Sequence, residues 1–362
     1  MRHLILLICI LCLFACENTK TDNRDIIVEQ LPSVKNLTSQ SLTIPPILLR
    51  PVKTCIVDSI LIVAQSRPDS IYSIFQLPDC KYLMSFGIKG RGPNEFYNSN
   101  PGFTLAAVYS DQASFAVNNM RNNIQYYRIN DIMQNILTPY KIEEFPSEMD
   151  GFQTIGYFND TIIIVAPWRL KTLLLKYHSI NKKIDHFKEY PNVYSFEDLM
   201  DLRNQYTGLI TVKQDNSKFA LAYVNKGVIE IYNINDTIPI TVSYKDFPSL
   251  EDNLGLRKDS KGRTFSKDEM IFCWDICSTN RYIYAKIYND KYVNISDGKG
   301  LLTSYIAEIH VFDWSGKLIA RLKPDFFYSE FNIDTRDRYL YTIDENVENV
   351  IRRYDLQKVF PK

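Results

Sequence analysis

Residues that could catalyse a reaction or hold a metal ion are sparse in this sequence and form no recognised pattern. Beyond the first residues the histidines are His178, His186 and His310, and their spacing is unlike the His-x-x-x-His type that places two ligands on one metal ion. The sequence has no Gly-x-Ser-x-Gly segment, so it offers no nucleophile turn of the α/β-hydrolase kind. We therefore predict no catalytic residue and no metal ligand from motif and spacing.

Glycines cluster once, at Gly87, Gly90 and Gly92 within FGIKGRGPNEF (86–96). A phosphate-binding loop needs the order Gly-x-Gly-x-x-Gly or a P-loop lysine, and a helix must follow it, whereas the residues after this segment favour a strand. The sequence predicts turn glycines here and not a nucleotide site.

Four cysteines lie beyond residue 16, namely Cys55, Cys80, Cys273 and Cys277. Strand alternation places Cys273 and Cys277 on one face of a single strand, where a disulfide is geometrically awkward. We predict four buried thiols that pack as small apolar groups, and leave open a disulfide between some pair of them.

Composition indicates the elements that must position any site. The chain has 24 Tyr and 20 Phe, an aromatic content that favours strands with one packed face. Its 42 Lys and Arg balance its 42 Asp and Glu, which argues against nucleic acid or an anionic membrane surface as the main partner.

A repeat runs through the chain. Six times an apolar strand ends at an Asp or Asn turn and a second strand follows at once. The six turn residues are Asp58, Asp111, Asp160, Asn216, Asn280 and Asp337. They are separated by 53, 49, 56, 64 and 57 residues, a period typical of propeller blades.

A third strand with an aromatic residue follows each turn. The aromatic lies 16 or 17 residues after the turn in five repeats, at Phe75, Tyr127, Tyr177, Tyr232 and Tyr354. In the fifth repeat Phe312 lies 32 residues after Asn280, because a predicted loop rich in Asn, Asp and Gly is inserted at about 288–304. We predict an all-β fold, a six-bladed β-propeller with four antiparallel strands per blade over residues 26–362.

The N-terminus carries an apolar run from Leu4 to Ala15, which is too short to cross a bilayer and has the length of a secretory signal. Leu13-Phe14-Ala15-Cys16 resembles the lipobox of bacterial lipoproteins; the alternative is an ordinary signal peptide with a chance cysteine. We predict a signal peptide over residues 1–15, acylation of Cys16, and a tether over residues 16–25. Several acyl chains would hold the protein on a membrane, and we expect the outer membrane of a Gram-negative bacterium.

The segment 86–96 also resembles the signature of a family of six-bladed propeller lipoproteins, related in architecture to TolB-like and NHL-repeat propellers. The matching residues are Gly87, Gly90, Gly92, Pro93, Glu95 and Phe96. The resemblance implies the fold and an envelope location, and it carries no uniform catalytic assignment.

Loops that join second to third strands, and loops that join one blade to the next, open on the same face of a propeller. We predict ligand contacts on this face, because long loops on a rigid scaffold and exposed Arg and aromatic side chains favour binding. The candidates are Arg91, Tyr97, Arg121, Trp168 and Arg169. The alternative is that Arg91 and Glu95 only hold an interblade turn and the others are ordinary surface residues.

Two functions compete. The first is an envelope module that binds a protein, peptide or glycan; the second is a lyase or hydrolase with a divalent cation in the central channel. A calcium ion there stays open, because carbonyl and Asp ligands leave no sequence spacing. The first strands, which line the channel, are mostly apolar, with Asp275 and Asp334 as exceptions.

Ring closure needs a strand from the N-terminus, because the chain ends too soon after VIRRYDL (350–356) for a fourth strand in blade six. Two apolar segments could supply it, IIVEQL (26–31) and SLTIPPILL (41–49). We predict Ile26 to Leu31, because Pro45 and Pro46 cannot donate to a ladder.

Overall fold

Six antiparallel sheets of the predicted kind surround a central channel. The computed structural model describes residues 24–45, 47–90, 92, 95–96, 105–120, 123–146, 149, 151–167, 170–190, 203, 206–247, 256–258, 264–266, 271–288, 306–344 and 346–360. Before the first blade come three short strands, β1 (Asp25–Val28), β2 (Val34–Asn36) and β3 (Ser39–Thr43).

Each blade runs from an inner first strand to an outer fourth strand. Blade one consists of β4 (Pro51–Val57), β5 (Ile60–Gln65), β6 (Tyr72–Gln76) and β7 (Lys81–Phe86). The short parallel pair β8 (Ile88–Lys89) and β9 (Glu95–Phe96) follows. Blade two consists of β10 (Ala106–Tyr109), β11 (Ala113–Met120), β12 (Asn123–Arg128) and β13 (Lys141–Glu144), with α1 (Ile129–Met133) before its last strand.

Blades three to six repeat the arrangement. Blade three consists of β14 (Phe152–Phe158), β15 (Ile162–Pro167), β16 (Thr172–His178) and β17 (Lys183–Glu189). Blade four consists of β18 (Gly208–Val212), β19 (Lys218–Tyr223), β20 (Val228–Asn233) and β21 (Ile240–Tyr244), and the hairpin of β22 (Leu256–Lys258) and β23 (Thr264–Ser266) follows. Blade five consists of β24 (Cys273–Ser278), β25 (Tyr282–Ile287), β26 (Glu308–Asp313) and β27 (Leu318–Lys323). Blade six consists of β28 (Glu330–Ile333), β29 (Tyr339–Ile343), β30 (Val350–Asp355) and β3.

The turns between first and second strands explain the Asp and Asn repeat in four of the six blades. Asp58, Asn159, Asn216 and Asp337 have φ between 51° and 59°, a left-handed conformation that Asn and Asp tolerate better than other side chains. In the third blade this residue is Asn159, one position before the predicted Asp160.

The aromatic residues of the third strands form the interfaces between blades. Phe75, Tyr127, Tyr177, Tyr232, Phe312 and Tyr354 are each at most 1% exposed. Each lies in a different apolar cluster, formed by its own blade and the preceding one. Burying such a ring contributes roughly 1.5–3 kcal/mol, so the repeat observed in the sequence is the repeat that holds the ring together.

The N-terminal strands, residues 24–43, lie on the outer edges of three blades, and we call them the N-terminal belt. β1 pairs in parallel with β21 of blade four, and β2 pairs in parallel with β27 of blade five. β3 pairs antiparallel with β30 and is the fourth strand of blade six, with Leu42 opposite Ile351.

The prediction that Ile26 to Leu31 completes blade six is therefore wrong. Ile26 instead packs near Ile240 and Val242 of β21, and Arg24 forms a 2.7 Å ion pair with Asp236. Pro45 and Pro46 do not prevent the neighbouring residues from pairing with blade six, because β3 ends at Thr43, before the two prolines.

Helix is scarce in the described part of the chain. The α-helix α1 has five residues, and none of the described helices is both long and apolar enough to cross a membrane.

Candidate functional site in the central channel

The first strands of all six blades enclose a cavity of about 620 Å³ in the centre of the ring. Its walls are mostly apolar, as the sequence of these strands predicts. The charged residues of the described wall are Lys53, Asp275, Lys286 and Glu330. All four lie at the end of the channel opposite the Asp and Asn turns. The sequence analysis placed the ligand contacts on this same face.

Alternate blades carry a β-bulge at this end of the channel. The pairing of first and second strands shifts between Pro51 and Lys53 in β4, between Phe152 and Thr154 in β14, and between Cys273 and Asp275 in β24. The extra residue of each bulge, Val52, Gln153 or Trp274, borders the cavity. Bulges redirect side chains and are common beside functional sites, and here they determine what the channel presents to a ligand.

An ion pair crosses the mouth of the channel. Lys53 of blade one and Asp275 of blade five approach to 2.5 Å, so the pair passes over the first strand of blade six, which separates the two blades. The side chain of Asp275 is 8% exposed and that of Lys53 is 29% exposed. Burial disfavours the charged form of Lys53, but the carboxylates of Asp275 and Glu330 outweigh it and raise the pKa of this lysine.

Lys286 is opposite Asp275 in the register of β24 and β25, and it is 2% exposed. Its Nζ donates to the backbone carbonyl oxygens of Tyr328 at 3.0 Å and Ser329 at 2.9 Å, just before β28 begins. Burial lowers the pKa of Lys286; Glu330 and Asp275 oppose this effect and Lys53 adds to it. Two neighbouring lysines therefore have pKa values shifted in opposite directions, which is a common feature of sites that do acid–base or amine chemistry.

The predicted contact residues lie outside the described residues. These are Arg91, Tyr97, Arg121, Trp168 and Arg169, and the lipidation site Cys16 lies outside as well. They stay predictions. Sequence reasoning selected Asp275 as a channel residue but missed Lys53, Glu330 and Lys286; a lysine within the apolar strand YIYAKI was the signal that could have revealed Lys286.

Asp334, the other predicted acidic exception, is not among the residues that border the cavity. Its carboxylate accepts hydrogen bonds from the backbone N–H groups of Arg338 at 2.5 Å and Tyr339 at 3.0 Å. It thus holds the turn between the first and second strands of blade six.

The glycine-rich segment forms an interblade turn. Gly92 N–H donates to Glu95 Oε2 at 2.6 Å, and a Cβ on Gly90 would stand 1.9 Å from the same oxygen. Gly87 has a φ of 87°, and Phe96 beyond the turn is buried against Tyr72 with ring centroids 5.2 Å apart. The described glycines and Glu95 place Phe96 in the interface between blades one and two; Pro93 lies outside the described residues.

The four cysteines beyond residue 16 are unpaired. The prediction that Cys273 and Cys277 share a strand face is wrong, because the bulge at Trp274 interrupts the alternation. Cys273 packs in the cluster between blades four and five, whereas Cys277 packs against the cluster between blades five and six. Burial raises the pKa of the Cys55 thiol to about 12, so this thiol stays protonated beside the channel.

No group of three or more His, Cys, Asp or Glu side chains in the described residues could hold a metal ion. The charged groups on the described wall of the channel are two amines and two carboxylates, in a cavity large enough for a small molecule.

Comparison with known proteins places this geometry in a family. The model of the TolB-like six-bladed propellers matches residues 30–336. The chain belongs to this family. No curated protein matches the TolB-like propeller described here.

Two solved structures are similar to this TolB-like propeller at low sequence identity. A member of the duf4221 family from Bacteroides vulgatus has 10% identity and a TM-score of 0.55, with 90% of this chain and 97% of that chain covered. The WD40 repeats of RRP9 have 10% identity and a TM-score of 0.45, with 84% and 79% covered. At this identity the likeness to the duf4221 structure shows the fold alone.

Proposed function

We propose that this TolB-like propeller is a binding module that takes a small ligand into the charged mouth of its central channel. One observation carries the proposal: Lys53, Asp275, Lys286 and Glu330 converge on a mostly apolar cavity of about 620 Å³. Ligand sites are commonly concave, apolar and of this size, with a few polar groups that fix the ligand's orientation. The fold agrees with this, since propellers of this kind suggest interaction or binding modules.

The chemistry of the mouth favours a ligand with both hydrogen-bond donors and acceptors, such as a short peptide or a glycan fragment. Two amines and two carboxylates lie close together, so charges of either sign on a ligand find a partner. Trp274, 44% exposed and on the cavity wall, offers a flat apolar surface beside them.

We predict that a channel ligand changes the fluorescence of Trp274. Trp314 is buried and donates its Nε1–H to the carbonyl of Thr279, so it should respond little. A panel of short peptides and oligosaccharides is titrated while the emission of the Trp168→Phe variant is recorded, because Trp168 is itself a predicted ligand contact, and Trp274→Phe in that variant should abolish the response. Asp275→Asn should weaken binding at least about tenfold, because it leaves an amine without its carboxylate.

Lys81→Met is the matched control, since Lys81 is exposed on the outer strand of blade one. Equal affinities of the Asp275→Asn and wild-type proteins for a ligand that alters Trp274 emission would exclude the charged mouth as the site.

We also propose that the module is a lipoprotein of the bacterial cell envelope. The support is the lipobox-like sequence before Cys16 and the family membership, which suggests an envelope-associated bacterial protein. Cys16→Ser should abolish acyl labelling and move the protein from the membrane fraction to the soluble one, because a single missing thiol removes the whole attachment point. Unchanged labelling and fractionation would end this proposal.

A further inference from the structure

We propose that the propeller rests on its membrane through the turns between the third and fourth strands of blades two, three and four, an orientation that rests on the proposed lipid anchor at Cys16. These turns are residues 129–140, 179–182 and 234–239, and we call them the outer turns. Neighbouring strands of a blade are antiparallel. The outer turns therefore lie at the same end of the ring as the Asp and Asn turns, opposite the channel mouth.

Each outer turn exposes a large apolar side chain. Met133 and Ile136 are exposed in blade two, Ile180 is 82% exposed in blade three, and Ile238 is 62% exposed in blade four. One exposed apolar residue is ordinary, but here three consecutive blades carry one at the same turn. In blade five, by contrast, the corresponding Trp314 is buried. Such a set of apolar tips is typical of a surface that meets an apolar partner.

The position of Arg24 identifies that partner as the membrane. The Arg24 guanidinium donates to Asp236 at 2.7 Å and to the backbone carbonyl of Ile238 at 3.1 Å, so the chain enters the ring at the outer turn of blade four. Eight residues lead from Cys16 to Arg24, and fully extended they span at most about 28 Å. Acyl chains on Cys16 therefore hold this turn close to the bilayer.

The opposite end of the ring is harder for the same anchor to bring to the bilayer. From Arg24, β1 runs away from the outer turns, in parallel with β21. The strands of blade four have five or six residues, which corresponds to a height of roughly 20 Å. Most of the tether would be needed to reach past that height, whereas the outer turns need none of it.

The charges beside the outer turns favour lipid of any headgroup over an anionic surface in particular. Side chains of opposite sign are paired there, so the apolar tips stand among charges that compensate one another. The ion pairs are Arg24–Asp236, Arg128–Asp131, Lys182–Glu143 and Lys183–Asp185. This agrees with the balanced charge of the whole chain. In this orientation the channel mouth with Lys53 and Asp275 opens toward the aqueous phase, where it meets a soluble ligand.

The test places a polarity-sensitive probe on the tips of the lipidated full chain. Nitrobenzoxadiazole is attached to Ile180→Cys or Ile238→Cys, one variant at a time, and the unsubstituted chain gives the background labelling. On phosphatidylcholine vesicles the emission should shift to shorter wavelength and be quenched by nitroxide-labelled lipid, because the probe leaves water. Ile88→Cys is the matched control, since Ile88 is 57% exposed at the opposite end of the ring, and its probe should keep its aqueous emission.

A second substitution tests whether the tips act together. Ile180→Asp should reduce the quenching of a probe at position 238, because a carboxylate resists leaving water, whereas Ile88→Asp should leave it unchanged. Equal quenching in both variants would overturn the proposal, as would a probe at position 88 that contacts lipid while those at 180 and 238 do not.

Three further outcomes identify a different partner or a failed anchor. A spectral shift without vesicles would assign the outer turns to a second copy of the chain, and a shift that needs phosphatidylglycerol would assign the contact to charge; either refutes the apolar contact. Flotation of the unlabelled chain with the vesicles reports the anchor itself. If the chain floats while both probes stay in water, the lipoprotein stands and the orientation is wrong; if it does not float, both proposals fail.

Discussion

Replacing Leu42 by proline should lower the free energy of unfolding by about 3 kcal/mol, the largest loss we expect from a single change in the N-terminal belt. Ile44 N–H donates to the carbonyl of Asn349, and antiparallel partners bond at every second residue, so Leu42 also bonds to its partner Ile351. Proline at position 42 removes this donor and opens the one sheet whose pairing closes the ring. Urea unfolding followed by circular dichroism measures the loss.

Ile27→Pro is the matched control. The backbone carbonyl of Arg24 accepts from Thr241 N–H, and that of Val28 accepts from Lys245 N–H. In a parallel pair alternate residues bond to the partner strand, so the backbone N–H of Ile27 points away from blade four. We expect a small effect there, and Leu42→Ala separates the loss of side chain from the loss of the N–H. Equal stability of Leu42→Pro and Leu42→Ala would show that the ring does not depend on this hydrogen bond.

The second large effect is expected at the ion pair of the channel mouth. Asp275→Asn leaves Lys53 and Lys286 close together without this carboxylate, and we expect it to cost about 2–3 kcal/mol of unfolding free energy. We expect a smaller loss of unfolding free energy than for a fully buried pair, because the side chain of Lys53 is 29% exposed. Lys53→Met/Asp275→Asn should recover most of the loss, because no partner is then left unpaired.

A double-mutant cycle over these variants in denaturant measures the coupling. The pKa of Lys53 is raised in the folded chain above its ordinary value of 10.5. The ion pair therefore stabilises the fold fully below pH 10.5, and this stabilisation is lost as the pH rises through the folded pKa of Lys53. A coupling free energy measured at neutral pH includes all of it. A coupling free energy near zero at pH 7 would mean that the pair does not stabilise the ring.

Most of the ring was predictable from the sequence because its repeat has a local physical cause. Asp58 and Asn216 are needed where the backbone turns left-handed, and Tyr127 and Tyr232 fill the spaces between blades. The buried aromatic recurs in all six blades and the left-handed Asp or Asn in blades one, three, four and six, so together they leave a period that can be counted.

The site was less predictable, because it depends on features that do not repeat. A lysine in a strand normally indicates a solvent face, and only the bulge before Asp275 and the burial of β25 turn Asp275 and Lys286 toward the channel. A one-residue bulge leaves no reliable mark in the sequence. Ring closure was misassigned because β1 carries the apolar run Ile26 to Val28, whereas β3, SQSLT, has the single apolar residue Leu42 and gives little hydrophobic signal of its pairing.

The N-terminal belt also constrains how the protein can be made. The strands β1, β2 and β3 are synthesised first, whereas their partner strands lie in blades four, five and six. Ser39, for example, can pair only after Tyr354 has been synthesised. Contacts of such long sequence separation form slowly, and unpaired strand edges are prone to aggregate in the meantime. A chain stalled before β30 would therefore keep its belt open to proteases and to holding chaperones, and release from the chaperone should coincide with completion of the sixth blade.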